Sequence, residues 1–264
     1  MALALTDIIN LDGSRLQDQA FIKACKRTLD KTGVLVIKDF LKPTVISLLQ
    51  QEGKDNQHLA YYTSNKHNVY LTESDVNYSD SHPRNRQVVS SKGCITTDQI
   101  PVNSALHSLY QAAEFRDFLC EVLGEQALYE YTDPLSSINL HYAGEGQELG
   151  WHYDNSSFAI TLMVQSPKEG GIFEYVKDVK DVRDADNGDM NYSMSGKILD
   201  GVIDTESLPM ADGALVLFRG RNSIHRVTPT VGEQTRMLVV LAYNTQPNIS
   251  LSESARMTFF GRLD

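Results

Sequence analysis

The chain has 264 residues, 41% of them hydrophobic and 22% charged, ordinary values for a globular protein with a sizeable core. Its formal net charge of −10 argues against a partner held by a phosphate backbone, because such proteins cluster Lys and Arg, so no nucleic-acid partner is expected. The longest apolar runs, ALVLF and MLVVLA, are too short to span a bilayer, and the N-terminus lacks a basic or long apolar leader, so a cytoplasmic protein with no membrane partner is expected.

In chain order, SRLQDQAFIKACKRTLDKTG (14–33) carries Leu16, Ala20, Phe21, Ala24 and Leu29 at helical spacing, with Ser14 as the expected cap and Gly33 as the stop. VLVIKDF (34–40) follows as a short buried strand, and PTVISLLQQE as a helix. The stretch 53–86, rich in Asn, Ser, Asp and Tyr, reads as surface loop or substrate lid. VNSALHSLYQAAEFRDFLCEVLG (102–124) has helical period and divides into two consecutive helices. After Leu128, short β-type runs take over: SSINLHY, WHYDNSSFAITLMVQ, GGIFEYV, GALVLFRG, SIHRVTP and RMLVVLAYN. Such a series predicts an antiparallel sandwich or barrel with helices packed before it. The acidic interruption 177–208 reads as a solvated loop, with an active-site lid as the alternative. Cys25, Cys94 and Cys120, odd in number and without a CxxC, point to a reduced compartment. No repeat or linker divides the chain, so one domain over 1–264 is expected. Its parts are a helical and irregular support with substrate loops (1–127), a β-core (128–245) and a C-terminal segment (246–264).

Within the β-region, GWHYDNSSFAITLMVQ sets His152 and Asp154 two positions apart. Alternate residues of a strand share a face, so the imidazole and the carboxylate converge. A second histidine, His225 in NSIHRVTPT, lies on its own β-run. Two neutral imidazoles and one carboxylate form the facial triad suited to six-coordinate Fe(II), with three positions left open; zinc with a bound water is the competing metal. Arg236 begins RMLVVLAYN, and alternation puts it on one face with Leu238, Val240 and Ala242. A guanidinium at the head of an apolar stripe calls for a carboxylate. A dicarboxylate that chelates the metal at one end would meet Arg236 at the other, and a 2-oxo acid fits. Arg226 competes for this role but, as neighbour of His225, should face the opposite side. Taken singly, each histidine is also explained as a half-buried core residue.

WHYD with SIHRVTPTVGEQTR resembles the Fe(II)/2-oxoglutarate-dependent dioxygenases, whose pattern is HxD, a distal His, and Arg or Lys about ten residues on. The resemblance covers roughly residues 128 to 245. It implies a mainly β fold, a double-stranded β-helix (jelly roll, cupin-like) with N-terminal helices packed against it. It further implies Fe(II) held by His152, Asp154 and His225, 2-oxoglutarate as co-substrate anchored by Arg236, and O2 as oxidant, with succinate and CO2 released. INLHYAGEGQELGWHYD is similar to the strand entering the metal site, where a tyrosine such as Tyr142 helps hold the co-substrate; packing into the core is the alternative for Tyr142. NSSFAITLMVQ and GGIFEYVKDVKDVRDAD are similar to oxygenases of free amino acids, particularly lysine-type hydroxylases, which are relatives of the radical halogenases. In those halogenases Gly or Ala replaces the triad carboxylate and frees a position for chloride. This chain keeps Asp154, which favours hydroxylation.

The expected small-molecule substrate is therefore a free amino acid, lysine first. Arg84 and Arg86, in HPRNRQVVSSKG, are the expected partners of its carboxylate, and Asp133 and Glu130 of its cationic end. Each has a plainer alternative: surface arginines of a polar loop, and an Asp-Pro turn at Asp133. His141 and Glu174 are expected to face solvent, and Trp151 to pack. Two other functions stay open: the same chemistry on a peptide, protein residue or other metabolite, and a metal-binding jelly roll without oxygenase activity. Monomer and homo-oligomer are equally compatible with the sequence.

Overall fold

The computed structural model describes residues 3–12, 14–179 and 190–264. Helix α1 (Leu5–Ile8) leads through a single 3-10 turn to α2 (Gln19–Thr32). The cap of α2 is Asp18, whose carboxylate accepts from the amides of Ala20 and Phe21, and Gly33 ends the helix at a left-handed φ of 74°. Ser14, the expected cap, precedes the 3-10 turn and makes no capping bond. Strand β1 (Val34–Ile37) follows, then α3 (Pro43–Asn56), whose proline stands in the first turn, where a missing amide costs nothing. Next come β2 (Tyr61–Asn68) and β3 (Gln87–Ile95). The run 102–124 forms two helices, α4 (Ala105–Gln111) and α5 (Ala113–Leu123), and α5 buries Phe115, Phe118, Leu119, Val122 and Leu123.

The β-region supplies β4 (Ile138–Ala143), β5 (Leu149–His152), β6 (Ala159–Gln165), β7 (Glu169–Gly170) and β8 (Phe173–Val176). Helix α6 (Tyr192–Leu199) precedes β9 (Glu206–Leu208). Then come β10 (Leu215–Phe218), β11 (Ile224–Val227), β12 (Thr230–Val231), β13 (Arg236–Leu241) and α7 (Glu253–Phe260). One antiparallel sheet runs in the order β1-β10-β6-β13-β4-β3-β5-β11-β8-β9, with β2 added on β3. Strand β3 is the fold line, since Cys94 and Ile95 pair with β4 while Ser90 pairs with Leu149 of β5. The sheet therefore closes on itself as two halves, β10-β6-β13-β4 and β5-β11-β8-β9. From β4 on, the chain passes back and forth between the halves except at the adjacent β8 and β9, with β7 and β12 paired in a small separate sheet, which is the jelly-roll topology expected.

Period-two alternation sorts the side chains into three layers. Outward-facing Leu140, Leu162, Leu217, Met237 and Val239 pack under the helices in the main core. Between the halves lie Val216 and Phe218 of β10 against Tyr175 and Phe173 of β8. On the far side Trp151, Tyr153 and Ile224 pack with Tyr70 and with Ile198 of α6. Full burial of a side chain such as Leu217 contributes about 1.5–3 kcal/mol, so the strands carrying the site rest on a stiff support.

Two stretches differ from the sequence expectation. The polar segment 53–86 contains β2, an edge strand bonded only to β3 and largely exposed, so it needs no apolar alternation and shows none. The stretch 177–208, expected as a loop, holds α6 and β9, while its residues 180–189 lie outside the described residues. The three cysteines are free thiols. Among the described residues no helix is long and apolar enough to cross a membrane.

Candidate active site

Strand β5 ends on His152, and β11 lays His225 directly beside it in register. Just past β5, Asp154 is tied to the neighbouring loop by its amide, which donates to the Gly220 carbonyl at 3.1 Å. One ligand atom from each of His152, Asp154 and His225 falls within 4.8 Å of the others. Asp154 Oδ1 stands 3.5 Å from His225 Nε2 and 3.8 Å from His152 Nε2. Both Nδ1 atoms face backbone carbonyls, His152 that of Gly150 at 2.8 Å and His225 that of Ser223 at 3.0 Å. A carbonyl only accepts, so each Nδ1 carries the proton and each Nε2 keeps its lone pair for a metal. Burial, reinforced by His225, lowers His152 to about 3, which keeps it in the neutral form a ligand requires. Behind the triad, Phe173 and Phe218 lie 5.4 and 4.8 Å from the His225 ring and exclude water from it.

Gly220 completes the cradle, because a Cβ there would lie 1.8 Å from Asp154 Oδ2. No other residue lets the carboxylate stand where it does.

Arg236 opens β13 opposite Ala143 of β4 and is 4% exposed. Its Nε and Nη2 are buried without any hydrogen-bond partner. Burial lowers it to about 10, so it remains a cation at neutral pH. An unmet guanidinium fork on the triad's side of the sheet fits a carboxylate, and two imidazoles with one carboxylate fit a divalent iron. Replacing Arg236 by Met is expected to weaken 2-oxoglutarate binding about 100-fold, since two charge-assisted hydrogen bonds go with it. Calorimetric titration checks this; an unchanged dissociation constant would remove Arg236 from the co-substrate site.

Other expected site residues lie elsewhere. Tyr142 sits on the outward face of β4, fully buried in the main core, and its hydroxyl donates to the Gly53 carbonyl at 2.8 Å. That alternation turns Tyr142 away from the triad, so it is a packing residue and not a co-substrate helper. Arg86 is ion-paired with Asp200 and also donates to the Leu199 carbonyl, which fixes the end of α6 and leaves no fork for a substrate. Glu130 is exposed. Asp133 accepts at Oδ1 from Leu135 N and Ser136 Oγ and at Oδ2 from Leu251 N and Ser250 Oγ, so it ties a turn to the C-terminal segment. Arg84 differs from these, since its Nη1 is buried with no partner. Arg226 faces outward as expected, paired with Glu174 at 2.7 Å and lying over the Trp151 ring.

Burial alone would raise the Asp133 carboxyl, but its four accepted hydrogen bonds hold it below the ordinary 3.8. Its stabilisation is therefore fully present above that value and is lost as pH falls through the lowered one. Asp133→Ala is expected to destabilise the fold by about 2 kcal/mol in denaturant titrations without changing substrate KM. A KM effect at full stability would return Asp133 to the substrate site.

Two inward-facing residues depart from the sequence reading: His141, expected to face solvent, and Lys92, which that reading did not single out. His141, beside Tyr142, faces the interior, where Lys92 Nζ approaches its ring nitrogens at 3.2 and 3.3 Å.

The family model for halogenase D (HalD) matches residues 16–258. The chain belongs to this family. No curated protein sequence is similar enough to match. Among solved structures, this halogenase D family member is similar to a 2OG-Fe(II) oxygenase family oxidoreductase from Burkholderia pseudomallei: 10% identity, 87% of this chain and 93% of that one covered, TM-score 0.54. A prolyl hydroxylase from Trichoplax adhaerens, in complex with a hypoxia inducible factor peptide, aligns at 12% identity over 89% of this chain and 94% of its own, TM-score 0.57. The epimerase SnoN, in complex with Fe3+, alpha ketoglutarate and nogalamycin RO, aligns at 12% identity over 86% and 84%, TM-score 0.57. At these identities the likeness establishes the fold, which is the one these oxygenases share.

Proposed function

We propose that the protein is an Fe(II)- and 2-oxoglutarate-dependent hydroxylase of an unactivated C–H bond in a free amino acid, with lysine or a similar cationic amino acid as the first substrate to test. The observation that carries hydroxylation over halogenation is Asp154, whose Oδ1 lies within 4 Å of both imidazole Nε2 atoms. A carboxylate there fills the position that a halide would need.

When bound, iron and 2-oxoglutarate supply the oxidation, in which O2 and 2-oxoglutarate are consumed, succinate and CO2 are released, and one oxygen atom enters the C–H bond. The chain's own work is placement. His152, Asp154 and His225 would hold the metal on one side, and Arg236 would orient the co-substrate by its distal carboxylate. Phe173 and Phe218 keep water from the metal's flank. Arg84 is the supported partner for the substrate's α-carboxylate. Its Nη1 is buried without a partner among the described residues, which is what a carboxylate would satisfy. Arg84→Met is expected to raise the amino-acid KM about 10–100-fold with 2-oxoglutarate affinity unchanged; equal effects on both would place Arg84 outside the substrate pocket.

The deciding experiment is aerobic incubation with Fe(II), 2-oxoglutarate, ascorbate and a pool of free amino acids, read by mass spectrometry. A one-oxygen gain on lysine or another single amino acid, dependent on 2-oxoglutarate, is the expected result. Consumption of 2-oxoglutarate without a modified amino acid would discard the substrate class and bring peptides forward.

A further inference from the structure

The interior wall beside Arg236 carries a second basic side chain that no carboxylate of the described residues pairs with. Gly93 of β3 pairs with Tyr142 of β4, and Ala143 of β4 pairs with Arg236 of β13. One step along the same register, Lys92, Ala143 and Arg236 form a row across three adjacent strands. At about 4.8 Å per strand the outer two backbones stand about 10 Å apart, with only the methyl of Ala143 between them. Alternation turns all three away from the main core, the face that holds Tyr142.

Lys92 has one hydrogen-bonding neighbour, the His141 ring, and no carboxylate of the described residues lies within ion-pair distance of it or of Arg236. Burial first, then the cationic Lys92 and Arg236, hold His141 well below its ordinary range, so it is a neutral acceptor and adds no charge. Cys94, next on the same face, offers no thiolate, because burial pushes it up to about 11. A cavity of about 190 Å³ that borders Lys92 and His141 is lined by Asn139, Tyr131, Phe259 and other residues without a single carboxylate. Burial lowers Lys92 from its ordinary 10.5, and the carboxylate whose field favours its charged form is Asp154, already a member of the triad. Two cations on one interior wall without counter-charge are costly and are explained by a ligand that brings the missing charge. A dicarboxylate chelated to the metal at one end brings its other carboxylate to this wall as that charge.

Resting on the co-substrate reading above, we infer that Lys92 is a second anchor for the dicarboxylate, acting with Arg236 on one dianionic ligand, and that His141 is the positioning residue that holds the Lys92 ammonium toward it. A sheet that needed only one anchor would gain by filling position 92 with an apolar residue. Lys92 is kept against stability, which gives the inference a signature that a structural lysine would not produce.

The test uses the full chain loaded with redox-inert Zn2+ and titrated calorimetrically with 2-oxoglutarate, comparing wild type, Lys92→Met, Lys92→Arg and Arg236→Met. Lys92→Met is expected to weaken binding about 10-fold or more, Lys92→Arg to recover most of that loss, and the ligand-free Lys92→Met protein to melt no lower than wild type. Lys92→Met binding within about twofold of wild type, while Arg236→Met is weakened, overturns the role of Lys92 and leaves the co-substrate reading standing. Wild type and Arg236→Met binding alike overturns both. A Lys92→Met protein that melts lower and binds normally assigns Lys92 a structural role and also overturns the inference.

Discussion

Gly220→Ala is expected to strip the site of its metal while leaving the fold intact. The added methyl would lie 1.8 Å from Asp154 Oδ2, 2.6 Å from its Cγ and 3.0 Å from its Cβ, so rotating the carboxylate alone cannot relieve the clash. The 3.1 Å hydrogen bond from the Asp154 amide to the Gly220 carbonyl ties the two backbones together and prevents them from separating. Gly220 is not among the residues with positive φ, so alanine meets no conformational penalty of its own and the effect is one of contact. Displacing a group that orients a ligand typically lowers metal affinity about 10–100-fold, and displacing the ligand itself should do at least as much. Trp151, adjacent to His152, provides a fluorescence signal for the metal titration. An unchanged metal affinity with an unchanged melting curve would mean that Asp154 does not bind the metal.

Asp154→Gly is expected to lower hydroxylation more than about 100-fold, since it removes a ligand outright rather than one of its supports. The same substitution vacates the oxygen position 3.5 Å from His225 Nε2. In chloride buffer, the product that remains is therefore expected to carry chlorine in place of hydrogen, whereas the wild-type product carries oxygen at any chloride concentration. This comparison addresses the family name directly, because the halogenase D model covers nearly the whole chain while the triad keeps its carboxylate. A wild-type product bearing chlorine would contradict the hydroxylase reading.

The site was legible in the sequence to the extent that strand alternation determines it. His152 and Asp154, and Arg236 with Leu238, were placed by period two alone, and the structure puts each on the face expected. The same rule misplaced Tyr142 and His141: INLHYA alternates Ile138, Leu140 and Tyr142 with Asn139 and His141, but the apolar set packs under the helices and leaves the polar set to the interior, a choice of side that alternation does not reveal. Lys92 was overlooked for a related reason. Its strand QVVSSKGCI is only partly buried and its partner β2 is polar throughout, so neither announces a strand and the inward direction of Lys92 cannot be read. Arg86 meets Asp200, a residue 114 positions away, and Gly220 meets Asp154 across a loop; both pairings depend on closure of the two sheet halves rather than on local chemistry. At the start of α2 two capping residues competed. Asp18 reaches the free amides of the first turn, while Ser14 precedes a separate 3-10 turn.

The most direct test of the central claim is anaerobic absorption spectroscopy of the protein with Fe(II) and 2-oxoglutarate. A triad that leaves room for chelation, with Arg236 holding the far carboxylate, predicts a visible charge-transfer band that appears only when both are present and is lost in His225→Ala. Tight Fe(II) binding without a band on adding 2-oxoglutarate would contradict the account, and would leave a jelly roll that holds metal without using it for oxidation.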